Sequence, residues 1–251
     1  MTVALPARAK LNLDLAVLGR RDDGFHGVRT RLQAIELHDL LEVAPDSTTS
    51  ITNTGLSVPG GTDNIVLVAH LALEKAVGRK LPTRFHLHKR IPPGSGLGGA
   101  SSDAAAALKA MVAVHNLDCD LAPIAAALGA DVSFFLRGGA GLAEGRGERL
   151  TPLDCAPGWF AIAWPGIELA TAAVYRAWDE STGEPPNELR RAAGRVDSRV
   201  DDFAARLGAD WQMTGSGSGF FLRCATAEAA REATAKLDCW TAVTHPVGPW
   251  A

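Results

Sequence analysis

The chain has 251 residues, 47% of them apolar and 21% charged, enough for one large domain or two ordinary ones with full cores. A formal net charge of −3 provides no basic field for nucleic acid, and no uncharged apolar run reaches the roughly 18 residues of a membrane-spanning helix. The four cysteines (Cys119, Cys155, Cys224, Cys239) contain no CxxC pair and no signal peptide is visible, which argues against a zinc site or a disulfide framework and for a cytoplasmic protein.

Alternating Val3, Leu5, Leu11, Leu13, Leu15 and Val17 predict strand over residues 2–18, and Arg20-Arg21-Asp22-Asp23-Gly24 a polar turn. Residues 28–43 predict strands again, and residues 44–62 loops around a short strand. Asp63-Asn64 is a cap for a helix over 65–77. Phe85 and Leu87 alternate with His86 and His88 in a strand ending at Pro92-Pro93. A glycine-rich loop follows, then helices over 102–114 and 121–128. Gly129-Ala130-Asp131 interrupts the second before the apolar stretch 132–136. Five glycines between Gly138 and Gly147 predict a hairpin with close backbone approaches. Residues 151–157 read as a boundary, dividing the chain into 1–153 and 154–251. Beyond it come a strand over 159–164, a helix over 171–178, a loop over 181–186 and a charged helical pattern over 187–207. A second glycine loop over 213–219 leads into a strand over 220–223, a helix over 226–237 and a last strand over 240–245. Strands and helices do not alternate strictly, so the expected fold class is α+β in two lobes.

The loop Pro92-Pro93-Gly94-Ser95-Gly96-Leu97-Gly98-Gly99-Ala100-Ser101-Ser102 carries most of the functional signal. Glycine lets a ligand approach the backbone closely, and a helix start presents free N–H groups and the positive end of the dipole, which together suit phosphate. Gly94 and Gly99 have the P-loop spacing, but Ala100 stands where its Lys belongs. Gly94, Gly96 and Gly99 also satisfy GxGxxG, yet two prolines part them from the strand and no first βαβ unit precedes them. A surface loop is the bland reading, against which Leu97 and the Ala-rich helix behind it suggest packing.

The Pro-Pro-Gly-Ser-Gly-Leu-Gly run with its Ser-Ser exit resembles the phosphate loop of the GHMP kinases. Two further motifs of that family have plausible versions here, Pro6–Leu13 before the loop and Thr214–Gly219 after it. Among the branches, Ala9–Leu13, Arg21–His26, Asp63–Val66, Gly98–Ala105 and Leu128–Val132 are most similar to the 4-diphosphocytidyl-2-C-methyl-D-erythritol kinases, in the right order over about residues 5–223. The resemblance implies a two-lobed fold, an N-terminal lobe like domain 2 of ribosomal protein S5 and a ferredoxin-like C-terminal lobe. It implies ATP and Mg²⁺ as cofactors, a small-molecule acceptor whose 2-hydroxyl receives the γ-phosphate, no nucleic-acid or membrane partner, and a monomer or homodimer.

Carried over residue by residue, the resemblance makes Lys10 and Asp131 the catalytic pair. Lys10 stands in an apolar strand, where a charge is costly unless paired or snorkelling, and Asp131 is equally well placed to cap a helix. Asn12 lies two residues on, on the same strand face as Lys10, and matches a substrate contact. Phe25 and His26 match a cytosine clamp in which the ring stacks and the His hydrogen-bonds, although a lone His in a turn is more often simply solvated. Pro92–Ser102 match the nucleotide loop, with Ser101 or Ser102 toward Mg²⁺ or a β-phosphate oxygen; no metal ligand is assigned. Asn64 and Lys89 match adenine or ribose contacts, with a helix cap and an exposed strand charge as their structural alternatives. Thr171 and Gly215 match the substrate side, and Gly217 and Gly219 line the same loop. Two departures stand out: Ser133 occupies a position that is often Pro in the family, and residues 187–207 keep only Asn187-Glu188-Leu189 of an expected Asn-Asp-Leu-Glu block. Rival readings are another GHMP kinase, acting on homoserine or a mevalonate derivative, a non-catalytic relative, and more remotely a dehydrogenase.

Overall fold

The computed structural model describes residues 1–58, 60–61, 63–181 and 183–250; Pro59, Thr62 and Thr182, inside the two expected loops, lie outside the described residues. The first half of the chain runs β1 (Val3–Asn12), β2 (Ala16–Arg20), β3 (His26–Pro45), β4 (Ser50–Gly55), α1 (Ile65–Val77), β5 (Thr83–Lys89), α2 (Gly99–His115), α3 (Ala122–Leu128) and α4 (Ala130–Arg137). The remainder runs β6 (Ala140–Gly145), β7 (Arg149–Leu153), β8 (Trp159–Trp164), α5 (Thr171–Asp179), α6 (Arg190–Val196), α7 (Arg199–Leu207), β9 (Gln212–Met213), β10 (Phe220–Cys224), α8 (Ala227–Thr234) and β11 (Trp240–Thr244).

Most expected elements form, and the differences have local causes. Helix α1 begins where Asn64 Oδ1 accepts from the Val66 N–H at 2.9 Å, and it ends at Gly78 in the left-handed region, φ +69°. Residues 28–43 form one long strand instead of several, because β3 changes partner along its length. Its Val28–Gln33 stretch pairs with β6 and its Leu40–Pro45 stretch with β5, so the apolar pattern shifts midway. Helix α2 starts at Gly99, three residues earlier than expected: Gly98, at φ +77°, closes the loop and its carbonyl already accepts the Ser102 N–H. Gly129-Ala130-Asp131 does not interrupt helix so much as restart it, since Gly129 O takes the N–H of Val132 and places Asp131 in the first turn of α4. Ser133 donates its own N–H to Gly129 O, a bond that Pro could not make.

The chain forms two compact units, each assembled from several stretches. The first comprises Met1–Ala9, His38–Ile91 and Gly98–Arg137. In it β5 pairs antiparallel with the end of β3 and parallel with β4, while α2 packs against α1 and α4. Leu41, Val43, Leu73, Phe85, Leu87, Leu108, Met111 and Phe134 are buried in this unit. Each such side chain contributes about 1.5–3 kcal/mol of burial. The buried alanines of α2, Ala104–Ala107 and Ala110, allow its neighbours to approach closely.

The second unit comprises Lys10–Leu37, Pro92–Leu97 and Gly138–Ala251. It holds β2 and β6 paired with the start of β3, the β6–β7 hairpin, and a four-stranded antiparallel sheet of order β11-β8-β10-β9. Leu15, Val17, Ile167, Val174, Leu189, Phe203 and Phe220 form its core. The expected close approaches of the glycine hairpin are present. Gly139 is at φ +75°, and a Cβ there would stand 2.8 Å from the Pro249 ring, while one on Gly138 would run into Trp250.

Candidate active site

Three separated stretches meet inside the second unit: the end of β1, the loop Pro92–Leu97 and the turn over 214–219. Their side chains are unusual for a core. Lys10 is 4% exposed, and its ammonium donates to Asn12 Oδ1 at 2.5 Å and to the Gly96 carbonyl at 2.8 Å. The Asn12 amide is oriented from its other side by Nδ2 donating to Thr30 Oγ1 at 2.8 Å, and the Asn12 backbone N–H donates to Thr214 Oγ1 at 2.9 Å. Such a network holds a lysine charge in place where solvent does not. Gly215, at φ +58°, backs onto it: a Cβ there would lie 3.0 Å from Gly96 O and 3.2 Å from both Asn12 Oδ1 and Lys10 Nζ. Backbone bonds zip the two glycine stretches together, Gly219 N to Ser95 O at 2.9 Å and Ser218 N to Gly94 O at 3.4 Å, and the Ser218 hydroxyl donates to Ile167 O. Ser95 is buried, its hydroxyl on the Pro92 carbonyl, and Leu97 is fully buried, so the loop is packed and not a free surface segment. Thr171 Oγ1 lies 3.0 Å from Ser216 Oγ at the exposed start of α5.

His26 does not stand in solvent. Its Nε2 is 2.6 Å from Asp179 Oδ1, its ring stacks on Tyr175 with centroids 5.0 Å apart, and Trp178 meets it edge-on at 5.8 Å. Phe25 is exposed with the Arg146 guanidinium 5.0 Å above its ring, and its N–H is held by Asp23 Oδ1. Against desolvation, the Phe25 N–H and then the Arg21 and Arg146 guanidiniums hold the Asp23 carboxyl below the usual range.

The other expected residues belong to the first unit. Asp131 is half-buried in the first turn of α4, at the positive end of that helix. Asn64 caps α1 and is buried. Lys89 is no exposed strand charge: it is buried, with its ammonium 2.5 Å from Asp39 Oδ2 and 2.7 Å from Asp103 Oδ2. Asp39 also accepts the backbone N–H groups of Arg90 and Ile91. Asp103 is pushed up to about 8, by burial first and by the Asp39 carboxylate, against the pull of Lys89; its Oδ1 is buried with no partner among the described residues. Gly99 is small for a reason, since a Cβ there would sit 2.9 Å from Lys89 Nζ. Of the two serines, Ser102 is buried with its hydroxyl on Gly99 O, whereas Ser101 is half-buried in the first turn of α2. Among the described residues no group of three or more His, Cys, Asp or Glu side chains is placed to hold a metal ion.

Several further buried or half-buried residues are given no role by the sequence alone. Asp39 and Asp103 are among them, although Asp39 interrupts an apolar strand just as Lys10 does. Asn187 is buried and donates to Met213 O at 2.8 Å and Gly215 O at 2.9 Å, fixing the turn over 214–219. Tyr175 and Asp179 reach His26 from α5, about which local spacing is silent.

The profile of the GHMP kinases N terminal domain matches residues 64–139. The 4-diphosphocytidyl-2-C-methyl-D-erythritol kinase of Xanthomonas axonopodis pv. citri is 36% identical to this chain, over 93% of it and 86% of that protein. A crystal structure of 4-(cytidine 5'-diphospho)-2C-methyl-D-erythritol kinase is 34% identical with a TM-score of 0.81, covering 97% of this chain and 99% of that one. The mevalonate kinase of Methanococcus jannaschii, at 15% identity, has a TM-score of 0.66 over 99% of this chain and 98% of its own, a likeness of fold alone. No helix among the described residues is long and apolar enough to cross a membrane.

Proposed function

The chain belongs to the 4-diphosphocytidyl-2-C-methyl-D-erythritol kinase family of the GHMP kinases, and from that premise we propose that it transfers the γ-phosphate of ATP to the 2-hydroxyl of 4-diphosphocytidyl-2-C-methyl-D-erythritol, a step in isoprenoid precursor synthesis. The observation that carries the reading is the buried junction of Lys10, Asn12, Gly96 and Gly215, where the end of β1 meets both glycine loops. An in-line phosphoryl transfer needs positioned reactants, neutralised charge and a deprotonated acceptor.

In this reading the loop from Pro92 to Ser102 presents its backbone N–H groups to the phosphates, and the start of α2 adds the positive end of a helix dipole. Lys10 stabilises charge gathering on the transferred group, Asn12 orients the acceptor, and Asp131 takes the proton of the tertiary hydroxyl. Thr171 and Gly215 line the acceptor side, and Phe25 with His26 holds the cytosine ring. Asn64 borders the nucleotide. Lys89 supports that side from beneath Gly99, held between the buried Asp39 and Asp103 side chains. Bound with the nucleotide, Mg²⁺ would neutralise phosphate charge, and the half-buried Ser101 in the first turn of α2 would be the hydroxyl available to it.

Within the GHMP kinase fold we assign residues 1–153 to the lobe like ribosomal protein S5 domain 2 and residues 154–251 to the ferredoxin-like lobe, a division along the chain that does not coincide with the two compact units. The antiparallel sheet β11-β8-β10-β9 with helices α5 to α8 supports the second assignment. Four free cysteines support a reducing, cytoplasmic setting.

The test is ADP release coupled to a chromogenic reaction, with the cytidine substrate, homoserine and mevalonate compared. Turnover of the first alone is expected, and its absence sinks the reading. Asp131→Ala is expected to lower kcat by about 10²-fold or more while KM for ATP stays put. An Asp131→Ala enzyme of undiminished kcat removes Asp131 from the mechanism.

A further inference from the structure

The last turn of α5 is built around a residue from a distant turn. Tyr175, Trp178 and Asp179 stand at i, i+3 and i+4, so they share one helix face, and all three meet His26. Asp179 is the last residue of α5, where the negative end of the helix dipole disfavours an acid. A locally unfavourable residue held in a specific contact is the pattern of a functional position. The contact is short, 2.6 Å from Nε2 to Oδ1, and the His26 side chain is only 10% exposed.

We infer that Asp179 is a positioning residue that makes His26 selective for an aminopyrimidine base, so that it sets the choice of cytidine over uridine. The inference rests on the reading of this protein as a kinase of a cytidine-bearing substrate. A carboxylate only accepts, so the His26 nitrogen facing it carries the hydrogen. In the neutral ring the other nitrogen, Nδ1, is then an acceptor. An acceptor complements the exocyclic amino group of cytosine and opposes the carbonyl that uracil carries in its place. Tyr175 fixes the plane of the ring, stacked at an interplanar angle of 28°, so Asp179 has only its rotation and hydrogen placement to decide. The base is thus read by a nitrogen whose character is set on the far side of the ring. A site that hydrogen-bonds a substrate group rejects an analogue lacking it far more strongly than a merely apolar site does.

The experiment uses the full chain with Asp179→Ala and Asp179→Asn, and compares the cytidine substrate with its uridine counterpart. For the wild type, ¹⁵N NMR of His26 is expected to show hydrogen on Nε2 and none on Nδ1. Asp179→Ala is expected to raise KM for the cytidine substrate about tenfold, to leave the uridine substrate nearly unchanged, and so to lower the base preference about tenfold. KM for ATP is expected to stay within about twofold, because the nucleotide side is untouched. Asp179→Asn keeps an oxygen that accepts from Nε2–H and is expected to recover part of the preference. A purely structural role predicts equal losses for both bases. An Asp179→Ala enzyme with the wild-type base preference overturns the inference alone. A wild type inert toward the cytidine substrate overturns the kinase reading and the inference with it.

Discussion

Replacing Gly96 by alanine probes the junction that the whole site depends on. Gly96 is at φ +77°, and an added Cβ would overlap the Thr214 carbonyl oxygen and lie 3.2 Å from Gly217 O. Two costs add. An alanine in the left-handed region costs roughly 1 kcal/mol relative to glycine. The overlap is with backbone, which cannot rotate aside like a side chain, so the turn over 214–219 must shift, at about 1–3 kcal/mol. The expected destabilisation is therefore about 2–4 kcal/mol. Gly78 supplies the control. It is also left-handed, φ +69°, but nothing lies within 4 Å of a Cβ built there, so Gly78→Ala should cost only the conformational part, about 1 kcal/mol. Urea unfolding of both variants, followed by circular dichroism and checked for equal m-values, measures the difference. The same shift moves Gly96 O, which accepts from Lys10, so kcat should fall about 10²-fold in Gly96→Ala and stay near wild type in Gly78→Ala. Equal destabilisation by the two substitutions would refute the collision argument. Full activity in Gly96→Ala would refute the coupling of loop to lysine.

Asp103→Asn tests the buried carboxyl beneath the loop. Burial and the neighbouring Asp39 carboxylate push Asp103 up to about 8 in the folded protein, whereas in the unfolded chain it has its ordinary value of about 4. The raised folded value means that stability is fully present below the lower figure and is lost as pH rises between the two, at up to about 1.4 kcal/mol per pH unit. Urea midpoints at about pH 5 and about pH 7.5 should fall more steeply for the wild type than for the Asn variant, and parallel slopes would remove Asp103 from the titration. Asn187→Ala strips hydrogen bonds from the Met213 and Gly215 carbonyls and should cost about 2–4 kcal/mol with a matching loss of kcat/KM; a stable, active variant would show that the turn over 214–219 holds itself.

Sequence made the α1 boundaries plain, because a capping Asn and a terminal Gly are local chemistry acting on their own neighbours. It also marked Lys10, since a charge in an apolar strand demands a reason. The same logic applies to Asp39, but its reason is Lys89, fifty residues away, and a single chain offers no sign of which cation an acid will meet. The seat of His26 is less legible still, because its partners lie on α5, some 150 residues further on. Strand β9 has two residues and exists only because Phe220 and Phe221 pair with it, so no propensity could announce it.

The two compact units exchange chain five times, after Ala9, Leu37, Ile91, Leu97 and Arg137. Two of these passages fall inside strands β1 and β3, and two bracket the six residues Pro92–Leu97. Neither unit corresponds to one uninterrupted segment of gene. Neither is therefore available to be excised, duplicated or swapped between proteins as a cassette, and a single proteolytic nick frees neither one whole.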